Sequence, residues 1–328
     1  MKWSINSKKA VCILLLASAL LGGCGESSGE VLLPYGSLDA NPDYALGVVD
    51  DVYTIPMFAS GLCAAASDIT ENSGADKSRL KSACVYDIPD KKVLYSYNAN
   101  EHLYPASLTK LMTVLLALEQ CEDLDLKITV GSVSIKESGA QLFGLKEGDR
   151  ISIRDLLYAC LLPSANDAAL ALAVFLGGSE EGFADMMNAR ALSLGATNTH
   201  FVNSHGLNNE EHYTCSYDLY LIFNELLKHP EFKEIINTDV RTIEYTSADG
   251  SLNSKEAKST NQYVRGNYDQ PARATIIGGK TGTTAAAGKC MIVYASSYDN
   301  KDYIVVVMGA EDVDLLYRTI NRLCDDLI

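Results

Sequence analysis

Two blocks of β-forming sequence lie far apart in this chain, and helix-forming sequence fills the space between them. In the first block, SACVYDI and KVLYSYN (82–88 and 92–98) flank Pro89-Asp90-Lys91 and read as a strand–turn–strand hairpin. The second block follows residue 240. RATIIGGKTGT, GKCMIVYASSY and KDYIVVVMGA are β-branched runs separated by Gly and Asp-Asn turns. Between the blocks, Ser107–Gln120 has helical apolar spacing with Pro105 just ahead of it. Ile153–Leu162 and Asn166–Leu176 read as two more helices broken at Pro163, and Phe183–Leu194 and Ser216–Leu227 as further ones. Asp314–Asp326 reads as a final helix. Strands at both ends and helices in the middle predict an α+β domain. One sheet is built from both ends, and a helical region is inserted into it. There is no internal repeat.

The first 23 residues stand outside that domain. Lys2, Lys8 and Lys9 precede the apolar run Ala10–Leu21, which is too short to span a bilayer core. This is the layout of a secretory signal, excluded from fold reasoning. Leu21-Gly22-Gly23-Cys24 closes it and resembles the lipobox of bacterial lipoproteins, in which cleavage precedes the Cys and the thiol accepts lipid. An ordinary signal peptide with a chance Cys is the alternative. Residues 24–80 are expected to form a tether and N-terminal extension, rich in Gly, Ser, Pro and Asp at first. Residues 81–328 are expected to form the folded domain.

Charge and cysteine usage narrow the partners. With 42 acidic and 27 basic residues the formal charge is −15, which repels phosphate backbones, so no nucleic-acid partner is expected. Of the nine Cys, Cys12 leaves with the signal and Cys24 takes lipid. The remaining odd number cannot all pair. No CxxC or Cys/His cluster occurs, so no zinc site is expected, nor any cofactor. Cys84 and Cys160 sit in apolar runs and read as small buried hydrophobes.

Three short motifs carry chemistry. In Ser107-Leu108-Thr109-Lys110, i and i+3 share a helix face, so Lys110 lies one turn from Ser107. Desolvation by Leu108 and Leu111 would lower the lysine's pKa and let it take the serine's proton. A serine at a helix N-terminus also has backbone N–H groups near a developing oxyanion. Ser164-Ala165-Asn166 places a hydroxyl and an amide on one tight loop, able to relay a proton and hold a substrate amide. Lys280-Thr281-Gly282-Thr283 ends an apolar strand. Gly282 lets a ligand backbone come close, Lys280 supplies positive charge, and Thr281 and Thr283 supply hydroxyls for a carboxylate. Taken singly, these read as a capped helix with a surface lysine, a helix N-cap and a surface turn.

Together, and in this order, SxxK, SxN and KTG form the motif set of penicillin-binding proteins and class A β-lactamases. YPASLTKLMTVLLALE, GLKEGDRISIRDLLYACLLPSANDAALALA, LGATNTHFVNSHGL and GGKTGTTAAAGKCMIVYAS resemble the serine D-alanyl-D-alanine carboxypeptidases, the low-molecular-mass penicillin-binding proteins. The resemblance implies the serine β-lactamase/DD-peptidase fold, with an antiparallel sheet. It further implies an acyl-enzyme on Ser107 formed from peptidoglycan stem peptides ending in D-Ala-D-Ala. Lys110 would be the general base, Ser164 and Asn166 would carry protons and position substrate, and Lys280 would shape the electrostatics. Thr281 and Thr283 would meet the terminal carboxylate. The N–H groups of Ser107 and Thr283 would form the oxyanion hole, and β-lactams would acylate the same serine. Arg318, near the start of the last helix, falls roughly where the family places a carboxylate-binding Arg.

No Glu-x-x-Leu-Asn segment, which class A β-lactamases use to direct water, lies between Asn166 and Lys280. His205 beside Ser204 does not make a Ser-His-Asp site, because the G-x-S-x-G elbow is lacking; a structural role bordering the site is expected. The final NRLCDDLI is too short and acidic to be an amphipathic anchor, so the lipid on Cys24 is the expected membrane attachment. A DD-endopeptidase, a β-lactamase or a non-catalytic peptidoglycan-binding lipoprotein are the alternatives. Cross-linked substrates, penicillin turnover and a Ser107→Ala variant would separate them.

Overall fold

The computed structural model describes residues 61–328, apart from Ala66 and Ser138, together with the backbone of two earlier strands. Those strands, β1 (Asp43–Val48) and β2 (Asp51–Pro56), pair antiparallel with each other. The signal-like segment, Cys24 and most of the expected tether lie outside the described residues. No helix among the described residues is long and apolar enough to cross a membrane.

β3 (Ser82–Asp87) and β4 (Lys92–Tyr97) form the expected hairpin. A 3-10 turn, Ala106–Thr109, leads into helix α1 (Lys110–Gln120). β5 (Lys127–Thr129), β6 (Arg150–Ser152), α2 (Ile153–Leu161), α3 (Asn166–Gly177), α4 (Glu180–Ser193), α5 (Ser216–Leu226) and α6 (Pro230–Ile236) follow. Next come β7 (Val240–Thr246), β8 (Leu252–Lys258), β9 (Ala274–Thr284), β10 (Gly288–Ser297), β11 (Asp302–Ala310) and helix α7 (Val313–Leu327). The main sheet runs β4-β3-β11-β10-β9, so the two ends of the domain do meet in one antiparallel sheet.

Why its strands are apolar on both faces follows from strand alternation. Cys84, Tyr86, Ile292, Ile304 and Val306 point into the core shared with the helical region. Ala83, Val85, Met291, Val293, Val305 and Val307 point the other way, under α7. A sheet covered on both faces needs hydrophobes at both parities, and KDYIVVVMGA supplies them. The stripe Leu316, Ile320, Leu323 and Cys324 seats α7 on that second face, and Asp312 caps its start by accepting from the Leu315 N–H.

Two features depart from the sequence expectation. A second sheet, β5-β6-β7-β8, lies in the helical half of the molecule. The folded body begins at Gly61 rather than at residue 81. Ile69 bridges Ser96 on the outer edge of β4, the Cys63 N–H donates to the Tyr220 hydroxyl at 2.9 Å, and Ser73 donates to Asp326 at 2.7 Å. This stretch covers an otherwise open sheet edge.

The seven described cysteines are free thiols, and all but Cys121 are buried. Burial pushes Cys84, Cys160 and Cys290 up to about 11, which keeps them protonated and unreactive.

Candidate active site

Ser107 occupies the 3-10 turn ahead of α1, half-buried at the floor of a cleft of about 470 Å³. Backbone N–H groups in such a first turn lack intrahelical acceptors. Lys110 begins α1 and is 0% exposed, with Leu108 and Leu111 equally buried beside it. Its Nζ donates to Ser107 Oγ at 3.0 Å, to Asn166 Oδ1 at 2.7 Å and to the His205 carbonyl at 2.6 Å. Burial, opposed by Cys160 and Asp167, pulls Lys110 down to about 8. Once it loses a proton, two N–H bonds remain, and Asn166 and His205 hold them. The lone pair is then directed at Ser107 Oγ.

Ser164 joins α2 to α3 with φ of 63°, a left-handed conformation costing a non-glycine residue roughly 1–3 kcal/mol. There its Oγ accepts from Lys280 Nζ at 2.8 Å. Lys280, on β9 and also buried, donates in addition to the Thr281 carbonyl at 3.0 Å. Burial and then the neighbouring Lys110 hold its pKa well below the usual lysine range. Ser107, Ser164, Asn166, Thr281 and Thr283 all line the cleft. Thr281 Oγ1 meets Thr260 Oγ1 at 2.6 Å. The three motifs, separated widely in sequence, thus form one hydrogen-bonded unit.

Gly282, between the cleft-lining Thr281 and Thr283, is buried, and its missing Cβ would point into the protein. A Cβ there would stand 3.1 Å from the Pro105 carbonyl and 3.3 Å from both Ala106 Cβ and Leu108 Cγ. The turn carrying Ser107 therefore packs directly against Gly282.

Arg318 is not brought to the cleft. Leu316 and Tyr317 face it, and the helical step of about 100° per residue rotates Arg318 onto the outer side of α7. There its guanidinium pairs with Asp314 at 2.7 Å and borders a separate groove with Asp76 and Asp325.

Several supporting groups carry no sequence signature of their own. The carboxylate of buried Asp167 accepts the N–H groups of Phe143, Gly144, Leu145 and Ala168 at 2.7–3.0 Å. This pins the loop whose Gly139, Ala140 and Gln141 form one cleft wall. Lys255 bonds the Phe143 carbonyl from the second sheet. Ala106, just before Ser107, has φ of 48°. Thr109 Oγ1 donates to the Ala106 carbonyl at 2.9 Å and meets His212 Nε2 at 2.7 Å. His212 Nδ1 accepts from the Val202 N–H at 3.0 Å, which assigns the ring proton to Nε2. Burial pulls His212 down to about 3, so it stays neutral and braces the turn.

His205 is buried, with Nε2 3.2 Å from Glu180, and its contribution at the site is its carbonyl. The sequence marker for this wall was NSHG, whose Gly206 has φ of 90°.

Comparison with known proteins agrees with this arrangement. Residues 69–312 match the D-alanyl-D-alanine carboxypeptidase family, peptidase S11. The chain is 34% identical over 234 residues to the D-alanyl-D-alanine carboxypeptidase DacF of Bacillus subtilis, covering 70% of this chain and 57% of that protein. It is 31% identical to the Escherichia coli D-alanyl-D-alanine carboxypeptidase DacC over 256 residues, 72% of this chain and 58% of that one. The chain thus spans somewhat over half the length of these relatives. Among solved structures it is similar to the Streptomyces K15 DD-transpeptidase, with a TM-score of 0.69 at 27% identity, covering 77% of this chain and 98% of that one. It is also similar to penicillin-binding protein D2 of Listeria monocytogenes in its ampicillin-bound form, with a TM-score of 0.62 at 29% identity, covering 76% and 97%. With SxxK, SxN and KTG assembled around one serine on a serine β-lactamase/DD-peptidase-like α+β fold, this chain belongs to the D-alanyl-D-alanine carboxypeptidase family, peptidase S11.

Proposed function

We propose that this protein is a serine D-Ala-D-Ala carboxypeptidase that trims the terminal D-alanine from peptidoglycan stem peptides and is inhibited by β-lactams. The observation that carries this reading is the Lys110 ammonium. Its three donors reach Ser107 Oγ, Asn166 Oδ1 and the His205 carbonyl, an arrangement suited to activating one hydroxyl.

In the proposed reaction, neutral Lys110 takes the Ser107 proton as Oγ attacks the carbonyl between the two D-alanines. The N–H groups of Ser107 and Thr283 receive the oxyanion. As the C–N bond breaks, the leaving amine takes a proton from the Ser164 hydroxyl, which Lys280, 2.8 Å away, replenishes. Water then cleaves the ester: its oxygen joins the acyl carbon as one of its protons passes through Ser164 to Lys280, and Lys110 returns its proton to Ser107 Oγ as the ester C–O bond breaks. A β-lactam enters the same first step, but its leaving amine stays attached by the ring. Export and membrane attachment through a lipid on Cys24 belong to the same proposal and rest on residues 1–24. Two acyl chains on that residue would hold the protein at a membrane where one is marginal.

The test is release of D-alanine from a diacyl-L-Lys-D-Ala-D-Ala peptide. The reading expects turnover by the wild type, and in Ser107→Ala a drop of roughly 10⁴-fold or more. D-alanine release that survives Ser107→Ala would contradict it.

A further inference from the structure

Arg318 points away from the cleft, so a ligand's carboxylate must be met there by something else. Lys289 on β10 is the one cationic side chain lining the cleft among the described residues, and no carboxylate side chain lines it. Lys110 and Lys280 are buried beneath, with their ammonium groups already bonded to Ser107, Asn166, His205, Ser164 and Thr281.

Lys289 is the cross-strand partner of Thr283. Directly opposed residues of an antiparallel pair leave the sheet on the same face with Cβ atoms about 4.5–5.5 Å apart. The lysine therefore stands beside the hydroxyl that ends the KTGT motif. It is half-buried, yet makes no ion pair or side-chain hydrogen bond among the described residues. Half-buried Arg241, by contrast, meets Asp155 at 3.0 Å, and half-buried Arg190 meets Glu119 at 2.5 Å. Val313 and Leu316 also line the cleft, and apolar walls strengthen a charge interaction made between them.

We propose that Lys289 Nζ, together with Thr283 Oγ1, is the carboxylate anchor of this site and receives the terminal carboxylate of the acyl donor. This rests on the acyl-transfer reading above. It deepens that reading by assigning the recognition of a free C-terminal acid to a residue on β10 rather than on α7.

The test compares acylation rates of the full chain by benzylpenicillin and by its methyl ester, which lacks the negative charge. For Lys289→Met the rate with the free acid is expected to fall roughly 10- to 100-fold, the range for a lost charge-assisted hydrogen bond. The rate with the ester should change by less than about three-fold. Lys289→Arg should restore most of the loss, and Lys289→Glu should deepen it for the acid alone. Equal changes in both rates, in variants that unfold at the wild-type temperature, would overturn the assignment of Lys289 and leave the acyl-enzyme intact. If neither compound acylates the wild type, the acyl-enzyme reading fails, and this inference fails with it.

Discussion

Lys110→Met is expected to lower acylation of Ser107 by roughly 10²- to 10⁴-fold, the contribution of a positioned general base. Lys110→Arg should do no better, since a guanidinium does not give up its proton near neutrality. The wild-type pH profile carries the same signature. The reactive form is the neutral amine, and burial brings Lys110 down to about 8. Second-order acylation should therefore rise about ten-fold per pH unit below that value and level off above it. In Lys110→Met that limb should vanish. A profile that keeps the limb in the variant would assign the base elsewhere. Linkage gives a companion sign. The unfolded lysine holds its proton up to about 10.5, whereas the folded one releases it near 8. Between those values the unfolded state binds more protons, so this group makes the fold more stable as pH rises from 8 to 10.5. Below 8 its full destabilising effect is present. Urea unfolding of wild type and Lys110→Met at pH 7 and pH 10 would read it out.

The second large effect is predicted at Gly206. Its φ of 90° is one that an L side chain adopts only with strain. A Cβ there would stand 1.8 Å from the Ala106 carbonyl oxygen and 2.9 Å from Thr109 Oγ1. Both atoms belong to the turn that aims Ser107. Gly206→Ala should cost about 2–5 kcal/mol of stability, from left-handed strain plus overpacking. It should also slow acylation at least about 100-fold by shifting the nucleophile. Gly250→Ala is the matched control. Gly250 shares a φ of 87°, but nothing lies within 4 Å of its absent Cβ. That variant should lose only about 1 kcal/mol and keep its acylation rate. Calorimetry and penicillin acylation on both variants check the pair. Equal losses of activity would mean that backbone strain, rather than the contact with Ala106, is the cause.

The main sheet was legible because its strands carry their own evidence. Residues 82–98 show turn chemistry between β-forming runs, and 273–310 show apolar runs cut by Gly and Asn. The motifs were legible because each fixes a local geometry, with i and i+3 on one turn for Ser107 and Lys110. What escaped was set by tertiary pairing. β5 and β6 are three residues long, and β6 pairs with a strand about a hundred residues later. Neither has room for a period. Residues 61–80 read as extension because their polar stretch lacks any periodicity; Ile69 and Ser73 show that they act by filling an edge and by bonding the Asp326 carboxylate near the end of α7. Arg318 was misjudged by helix rotation, which depends on a loop whose length the sequence does not set against the sheet. Gly282 stands between the cleft-lining Thr281 and Thr283, and only the fold shows that the space its missing side chain leaves is taken by the turn carrying Ser107. His205 contributes a carbonyl, a group that every residue has and that only the fold can single out.

The most direct measurement is the intact mass of the full chain followed over time with benzylpenicillin, beside Ser107→Ala. The account predicts one covalent adduct of the antibiotic's mass on the wild type and none on the variant. An adduct that forms equally on Ser107→Ala, or a wild type that stays unmodified, would contradict the claim that SxxK, SxN and KTG here make a working acyl-enzyme site.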